Sequence, residues 1–354
     1  MAGPRVVCGA GVDQTHKGKE RHIIMDSLDT EVLRQARDWV AAGHSVHLLT
    51  VAQTWGSAPR QAGAMAALRA DGRLIGSVSG GCVEDDLMER ARQSALPDRP
   101  ERITYGITSD EAARFGLPCG GTLRLVVEPV RDTTWLDPVL ANIASHALTL
   151  RTVDLQTGAC SLAPAGPLDG PDFDGRTLRA VYGPRWRLLI IGANQTGRAL
   201  ANIAVSLDFH VLVCDPREEF HAGWDMPGVT LLTSMPDDAV GDIGTDGRTA
   251  IVALTHDPKL DDMVLLEALK SPAFYVGALG SGPSQARRRE RLRMFDLSEE
   301  EIDRLHGPVG LRIASRTPAE IAVAIAGELI WVRNTAGGAA ACAPHAPNAT
   351  RQQP

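Results

Sequence analysis

Apolar residues recur at helical spacing at Val32, Leu33, Ala36, Val40 and Ala41, which predicts a helix over residues 29–41 that Gly43 can end. The pattern then changes. Residues 45–52 read as a strand, residues 55–59 (Trp-Gly-Ser-Ala-Pro) as a break, and residues 64–68 and 74–78 as two strands around the hairpin signal Asp71-Gly72. Ser79-Gly80-Gly81-Cys82 leads into a helix whose first turn carries Glu84, Asp85 and Asp86, acidic residues that suit that end of a helix. A second Cys-Gly-Gly, at residues 119–121, precedes a strand over residues 122–130.

Residues 156–185 are dense in Gly, Pro and Asp and read as an interdomain connection. Beyond them the period of apolar residues becomes that of an open parallel sheet. Residues 186–192 are a nearly continuous apolar run, the mark of a strand covered on both faces. A helix with Leu200, Ala201, Ile203, Ala204 and Leu207 on its inner side follows, then strands at 210–214, 250–254 and 274–276, the last two each followed by a helical stretch. Thr317-Pro318-Ala319-Glu320 is a capping box with proline at the first helical position and opens a last helix to about Val332. The fold class expected is α/β: a mixed N-terminal domain over 25–150, a linker over 151–185, and a Rossmann-like domain with an open parallel sheet over 186–335. Residues 1–24 are expected to be a disordered extension, or to reflect a start assigned upstream of Met25, and residues 336–354 a disordered Ala/Gly/Pro tail.

Composition narrows the classes. With 354 residues, 44% hydrophobic and 22% charged, the chain can build two ordinary cores. A formal charge of −7 argues against a broad nucleic-acid surface, and no apolar run reaches transmembrane length. Lys17, Lys19, Glu20 and Arg21 interrupt any signal-peptide core, so a cytoplasmic protein with reduced thiols is expected. Six cysteines, at 8, 82, 119, 160, 214 and 342, form no Cys-x-x-Cys pair, so neither a zinc ribbon nor a thioredoxin motif is offered.

Candidate chemistry lies in the loops. Gly192-Ala193-Asn194-Gln195-Thr196-Gly197 follows a strand and opens a helix, and Asp215 ends the next strand at the spacing of a ribose-binding acid. The second glycine of a dinucleotide fingerprint is here Asn194, whose side chain would crowd the pyrophosphate, so NAD(P) is not the expected ligand. Thr255-His256-Asp257 and the loop containing Gly280 and Ser281 should open on the same edge, where open α/β sheets bind ligands. The alternative is that these glycines only make tight turns. His256 could titrate near neutrality, although a lone loop histidine is more often structural or merely exposed. The run Arg287, Arg288, Arg289, Arg291 and Arg293 reads as a solvated helix face, with anion binding or partner docking the minority role. Cys82 stands at a helix start, where the dipole favours thiolate and the neighbouring acids oppose it; on residues alone a small buried apolar role competes.

The order of these motifs resembles a known family. Residues 55–60, Asp71-Gly72 and residues 76–84 are similar to the N-terminal domain of the XdhC/CoxI family, the xanthine dehydrogenase accessory factors, and residues 119–121 to its second cysteine loop. Ile190-Ile191-Gly192-Ala193, Asp215-Pro216-Arg217, Thr255-His256-Asp257, residues 277–281, Pro308-Val309-Gly310-Leu311 and residues 317–322 resemble its Rossmann half, so that the likeness spans residues 25–332. The resemblance implies a factor that binds the molybdenum cofactor in its molybdopterin form as transient cargo. It would support sulfuration of the metal and insert the cofactor into an apo molybdenum hydroxylase of the xanthine dehydrogenase type. A cysteine desulfurase would be the sulfur donor, and a homodimer is plausible. Such a factor is an accessory protein rather than a turnover enzyme.

On that resemblance the cofactor-binding residues are Ser57, Arg60, Gly80, Gly81, Cys82, Glu84 and Cys119 in the first domain, and Gly192, Gly197, Asp215, Arg217, His256, Asp257, Gly280 and Ser281 in the second. Cys82, and after it Cys119, would touch the molybdenum, a soft-ligated metal that a thiolate can approach, while loops of the second domain would hold a phosphate. No metal site made by protein alone is expected. The competing readings are an NAD(P)-dependent oxidoreductase using the Rossmann half, and a scaffold that bridges the hydroxylase and the desulfurase.

Overall fold

The computed structural model describes residues 28–55, 60–106, 122–166, 169–221, 224–295 and 297–336. The expectations for residues 1–24, for the tail and for the second cysteine loop lie outside these.

The first lobe opens with α1 (Leu28–Ala41) and the strands β1 (Val46–Trp55), β2 (Met65–Arg69) and β3 (Leu74–Gly76). α2 (Cys82–Arg92), β4 (Glu101–Tyr105) and β5 (Thr122–Val130) follow. The strands form an antiparallel sheet of order β3-β2-β1-β5-β4. The Asp71-Gly72 hairpin joins β2 to β3 as expected, with Gly72 at φ +87. Because neighbouring strand residues face opposite sides, β1 packs against cores on both faces of its sheet. Leu49 and Val51 pack with Val83 and Leu87 of α2, whereas Leu48 packs with Val32, Leu33 and Ala36 of α1.

The expected linker is not one. After α3 (Leu136–Ala144), the strands β6 (Thr149–Asp154), β7 (Cys160–Pro164), β8 (Asp172–Phe173) and β9 (Thr177–Tyr182) make a second antiparallel sheet of order β7-β6-β9-β8. Val153, Phe173 and Leu178 pack on Ala52 and Val126 of the first sheet, and Ala180 and Tyr182 join the core under α1. Arg151 of β6 grips Glu128 of β5 through two contacts of 2.7 and 2.8 Å, both side chains buried, and its guanidinium lies 3.7 Å from the centroid of the Trp135 ring. A buried charge is tolerable only when paired in this way, so the two sheets are one structural unit.

The second lobe begins at β10 (Arg187–Ile191) and continues through α4 (Gln195–Ser206), β11 (His210–Cys214), β12 (Val229–Leu232), α5 (Pro236–Asp242), β13 (Thr249–Ala253), α6 (Pro258–Ala268) and β14 (Tyr275–Ala278). It closes with α7 (Gly282–Arg293), α8 (Glu299–Asp303), β15 (Leu305–His306) and α9 (Pro318–Ala336). All six strands are parallel, in the order β12-β11-β10-β13-β14-β15. Counted within the lobe this is 3-2-1-4-5-6, the dinucleotide-fold order, with the switch point between β10 and β13. Leu188 and Ile190 face Leu200, Ala201 and Ala204 of α4 and Ile325 and Leu329 of α9; Leu189 and Ile191 face the side covered by α5 to α8. The capping box of α9 forms as expected: Glu320 N–H donates to Thr317 Oγ1 and Thr317 N–H to the Glu320 carboxylate.

The lobes touch at the amino-terminal edge of the parallel sheet. Arg187, the first residue of β10, donates to the carbonyls of Ile243 and Gly244 and meets His146 Nδ1, just after α3, at 3.2 Å. Among the described residues no helix is long and apolar enough to cross a membrane.

Candidate functional site

In the first lobe the glycine turn has an occupant. Glu84 Oε1 accepts the backbone N–H groups of Val78, Ser79 and Gly80 at 2.8–2.9 Å and the Ser77 hydroxyl at 2.8 Å. Its Oε2 accepts the N–H of Gly81 at 3.0 Å and the Ser79 hydroxyl. Burial pushes the Glu84 carboxyl up, but these bonds outweigh it and hold the group down at about 2. Backbone N–H groups that would otherwise suit a phosphate are therefore turned onto the protein's own carboxylate. The turn's function is to fix the start of α2, where Cys82 stands with an exposed thiol. Gly80 is at φ +89, and among the described residues a methyl group built on Gly80 or Gly81 meets nothing within 4 Å. Arg60 is exposed; Ser57 and Cys119 lie outside the described residues.

In the second lobe Gly192, Gly197, Asp215, Arg217, His256, Asp257, Gly280 and Ser281 come together on the carboxyl edge of the parallel sheet, opposite the lobe contact. Gly192 is at φ +119. A Cβ on Gly197 would sit 2.1 Å from the Gly192 carbonyl oxygen, so the helix approaches the strand as closely as in a dinucleotide fold. Asn194 does not stand over that approach. Its Nδ2 donates to the Leu254 carbonyl at 2.5 Å and its Oδ1 accepts the Gly197 N–H at 2.9 Å, which caps α4 and ties the β10 loop to the end of β13.

Asp215 is the residue that departs most from a nucleotide site. It is wholly buried, and accepts the Ala193 N–H at 2.8 Å and both Arg217 Nε and Nη2 at 2.8 Å. Burial pushes its carboxyl up, and the Arg217 and Ala193 hydrogen bonds win and hold it below the usual carboxylate range. A ribose would have to break these bonds to reach it.

The sequence did not point to the network beneath these loops. Thr255 N–H and hydroxyl donate to Asp261 at 3.1 and 2.6 Å. Arg288 bonds Asp261 and Asp262 at 3.1 Å each, the Leu279 carbonyl at 3.0 Å and Gln285 Oε1 at 3.1 Å, and Gln285 holds the Ala278 carbonyl at 2.9 Å. The loops after β13 and β14 are thus cross-braced. The arginine run is accordingly not one solvated face. Arg288 is buried, Arg291 pairs with Asp262, Arg289 bonds the Ile302 and Leu305 carbonyls, and Arg293 pairs with Glu299; Arg287 is exposed. His256 is exposed at φ +63, and Asp257 caps α6 through Lys259 N–H. Ser281 caps α7.

A second carboxylate hub was also missed. Glu328 of α9 accepts Tyr275 OH and the Gly310 N–H, each at 2.6 Å, and pairs with His306 Nδ1 at 3.1 Å; the His306 and Tyr275 rings stack at 4.3 Å. Burial drives the Glu328 carboxyl up, and its donors hold it below its ordinary value.

The arrangement defines a class: a Rossmann-type lobe with its loops braced at the switch point, coupled to a two-sheet lobe that presents an exposed cysteine from a glycine turn. Residues 39–106 match the XdhC and CoxI family and residues 188–329 the XdhC Rossmann domain. The chain is 30% identical over 318 residues to a probable xanthine dehydrogenase subunit from Bacillus subtilis (strain 168), covering 81% of this chain and 92% of that protein. It is 28% identical over 318 residues to the molybdenum cofactor insertion chaperone PaoD of Escherichia coli (strain K12), covering 90% and 93%. A crystal structure from Bacillus halodurans, described as a xanthine dehydrogenase, shares the fold at TM-score 0.69 and 24% identity over 88% of this chain and 98% of that one. The chain belongs to the XdhC and CoxI family.

Proposed function

We propose that this protein binds the molybdenum cofactor as transient cargo in the cytoplasm, supports its sulfuration and hands it to an apo-hydroxylase of the xanthine dehydrogenase type. The observation that carries the reading is the exposed Cys82 thiol, held at the start of α2 by the Glu84-filled turn, with no described residue within 4 Å of a methyl group built on Gly80 or Gly81. A thiol so placed can approach a soft metal centre without first opening the fold. The names of the relatives, one an insertion chaperone and the other part of a xanthine dehydrogenase, support the same reading.

Cys82 would contact the molybdenum, with Gly80 and Gly81 leaving room for it, Glu84 setting the turn and Arg60 available to anionic groups. By the family resemblance, Cys119 and Ser57 would also contribute to binding the cofactor. A cysteine desulfurase would supply the sulfur that becomes the terminal sulfido ligand. On the second lobe, Gly192, Gly197, Gly280, Ser281, His256 and Asp257 would line the edge that receives a phosphate-bearing part, while Asp215 and Arg217 keep that edge in shape. The NAD(P)-dependent oxidoreductase alternative is disfavoured by Asp215, whose carboxylate is engaged by Arg217 and Ala193. Purification under anaerobic conditions from cells that make the cofactor, followed by assays for pterin, molybdenum and dinucleotide, tests the reading. Pterin with molybdenum supports it; bound dinucleotide alone overturns it.

A further inference from the structure

A cavity of about 810 Å³ opens beside the loop that follows β15, against α9. Its lining is mixed: Leu279, Val309, Leu311 and Ile313 make apolar wall, and His306, Arg312, Ser315 and Glu328 are polar. Glu328 is an acceptor held in place by Tyr275 OH and the Gly310 N–H, so the contact with His306 Nδ1 requires the proton on that nitrogen. Fixing one ring nitrogen in this way sets the role of the other. In the neutral tautomer with the proton on Nδ1, this leaves Nε2 as a lone-pair acceptor, the ring's one remaining polar atom. Stacking on Tyr275 holds the ring plane. Arg312, also lining the cavity, is exposed, and no hydrogen bond or ion pair of its side chain occurs among the described residues. Apolar walls with a few convergent polar groups are the makeup of a small-molecule site.

We infer that this cavity is a binding site for a flat heterocycle that donates a ring N–H or amino hydrogen to His306 Nε2 and carries an anionic arm toward Arg312. The inference deepens the proposed function and rests on it in one respect: the pterin cofactor, with its phosphate, belongs to this ligand class. A purine nucleotide has the same chemistry, so the two sources must be separated by experiment.

The test uses the full-length protein and three variants, His306→Ala, Ile313→Trp and Cys82→Ala. Ile313 is 52% exposed and lines the cavity, so a bulky ring there obstructs the site without touching the core. Each protein is dialysed anaerobically against molybdenum cofactor freshly released from a purified hydroxylase, and separately against ADP. Retained pterin is read by fluorescence after oxidation, and retained nucleotide by absorbance. Both His306→Ala and Ile313→Trp are expected to retain at least tenfold less pterin than the wild type. If both retain wild-type amounts while Cys82→Ala loses pterin, the cavity inference is overturned and the maturation reading stands. If the wild type retains ADP and no pterin, and both cavity variants lose the ADP, the cavity inference stands and the maturation reading fails. Retention of neither ligand by the wild type overturns both.

Discussion

Glu84 reaches back to Gly81, the residue before its own helix, and accepts its N–H at 3.0 Å while the other carboxylate oxygen gathers the N–H groups of residues 78–80. Glu84→Gln keeps the shape and one acceptor but turns an amide NH₂ toward the donors of the turn. The variant is expected to lose about 2 kcal/mol, the scale of a buried charged hydrogen-bond set left partly unsatisfied. It should also raise the reactivity of Cys82 toward an alkylating probe under native conditions as the turn loosens. A melt unchanged from wild type would contradict the structural role given to Glu84.

The same carboxylate makes a pH prediction. Glu84 has its folded value depressed from 4.5 to about 2, so its contribution is fully present above pH 4.5 and is lost as pH falls toward 2. His210, at the lobe junction, is driven down from 6.5 to about 4 by burial and then by Arg187, His146 and Arg185. The unfolded chain therefore binds more protons there between pH 6.5 and 4, and stability falls as pH drops through that window. Urea midpoints measured from pH 7 to 4 should decline, and His210→Gln should flatten the upper part of that decline. An unchanged slope in this variant would exclude His210 as its source.

Gly197→Ala places a methyl carbon where only 2.1 Å separates it from the Gly192 carbonyl oxygen. The backbone cannot yield as a flexible side chain would, so a loss on the order of 3 kcal/mol is expected. Thermal melting of the purified variant checks this. A drop in Tm of less than a degree would mean that the helix and strand are not in such close approach.

Arg217→Ala leaves Asp215 buried without its two-pronged partner. Breaking such a pair typically costs about 3–5 kcal/mol, and the partial exposure of Arg217 puts the expected loss at the lower end. Calorimetric titration of the wild type with NADH or NADPH should give no saturable binding below the millimolar range. Micromolar binding would show that Asp215 can be released from Arg217 for a ribose.

Much of the second lobe was legible because strands such as β10 and β13 are apolar after their first residue and their helices repeat at helical spacing. The second sheet of the first lobe was not. Thr177–Tyr182 alternates, with Leu178, Ala180 and Tyr182 inward, but the dense Gly, Pro and Asp around it mark tight turns between short strands as readily as they mark a linker. Cys82 stood out by its place after two glycines, and Glu84 only as one of three acids at the helix start; its bond back to the Gly81 N–H came with the structure. Asp215 was noted for its position and its spacing, yet its partner two residues on decides what it does. His306 and Glu328 lie 22 residues apart and meet only through the packing of α9 on the sheet. Asn194 was expected to crowd a ligand; its short side chain instead bonds the nearby backbone, the local habit of asparagine at a helix start.

The most direct measurement is the cofactor content of wild type and Cys82→Ala, both purified anaerobically from cells that make molybdenum cofactor. Pterin and molybdenum are expected together on the wild type, with at least a tenfold lower content on Cys82→Ala at equal thermal stability. Equal content on the two proteins, or none on the wild type, would contradict this.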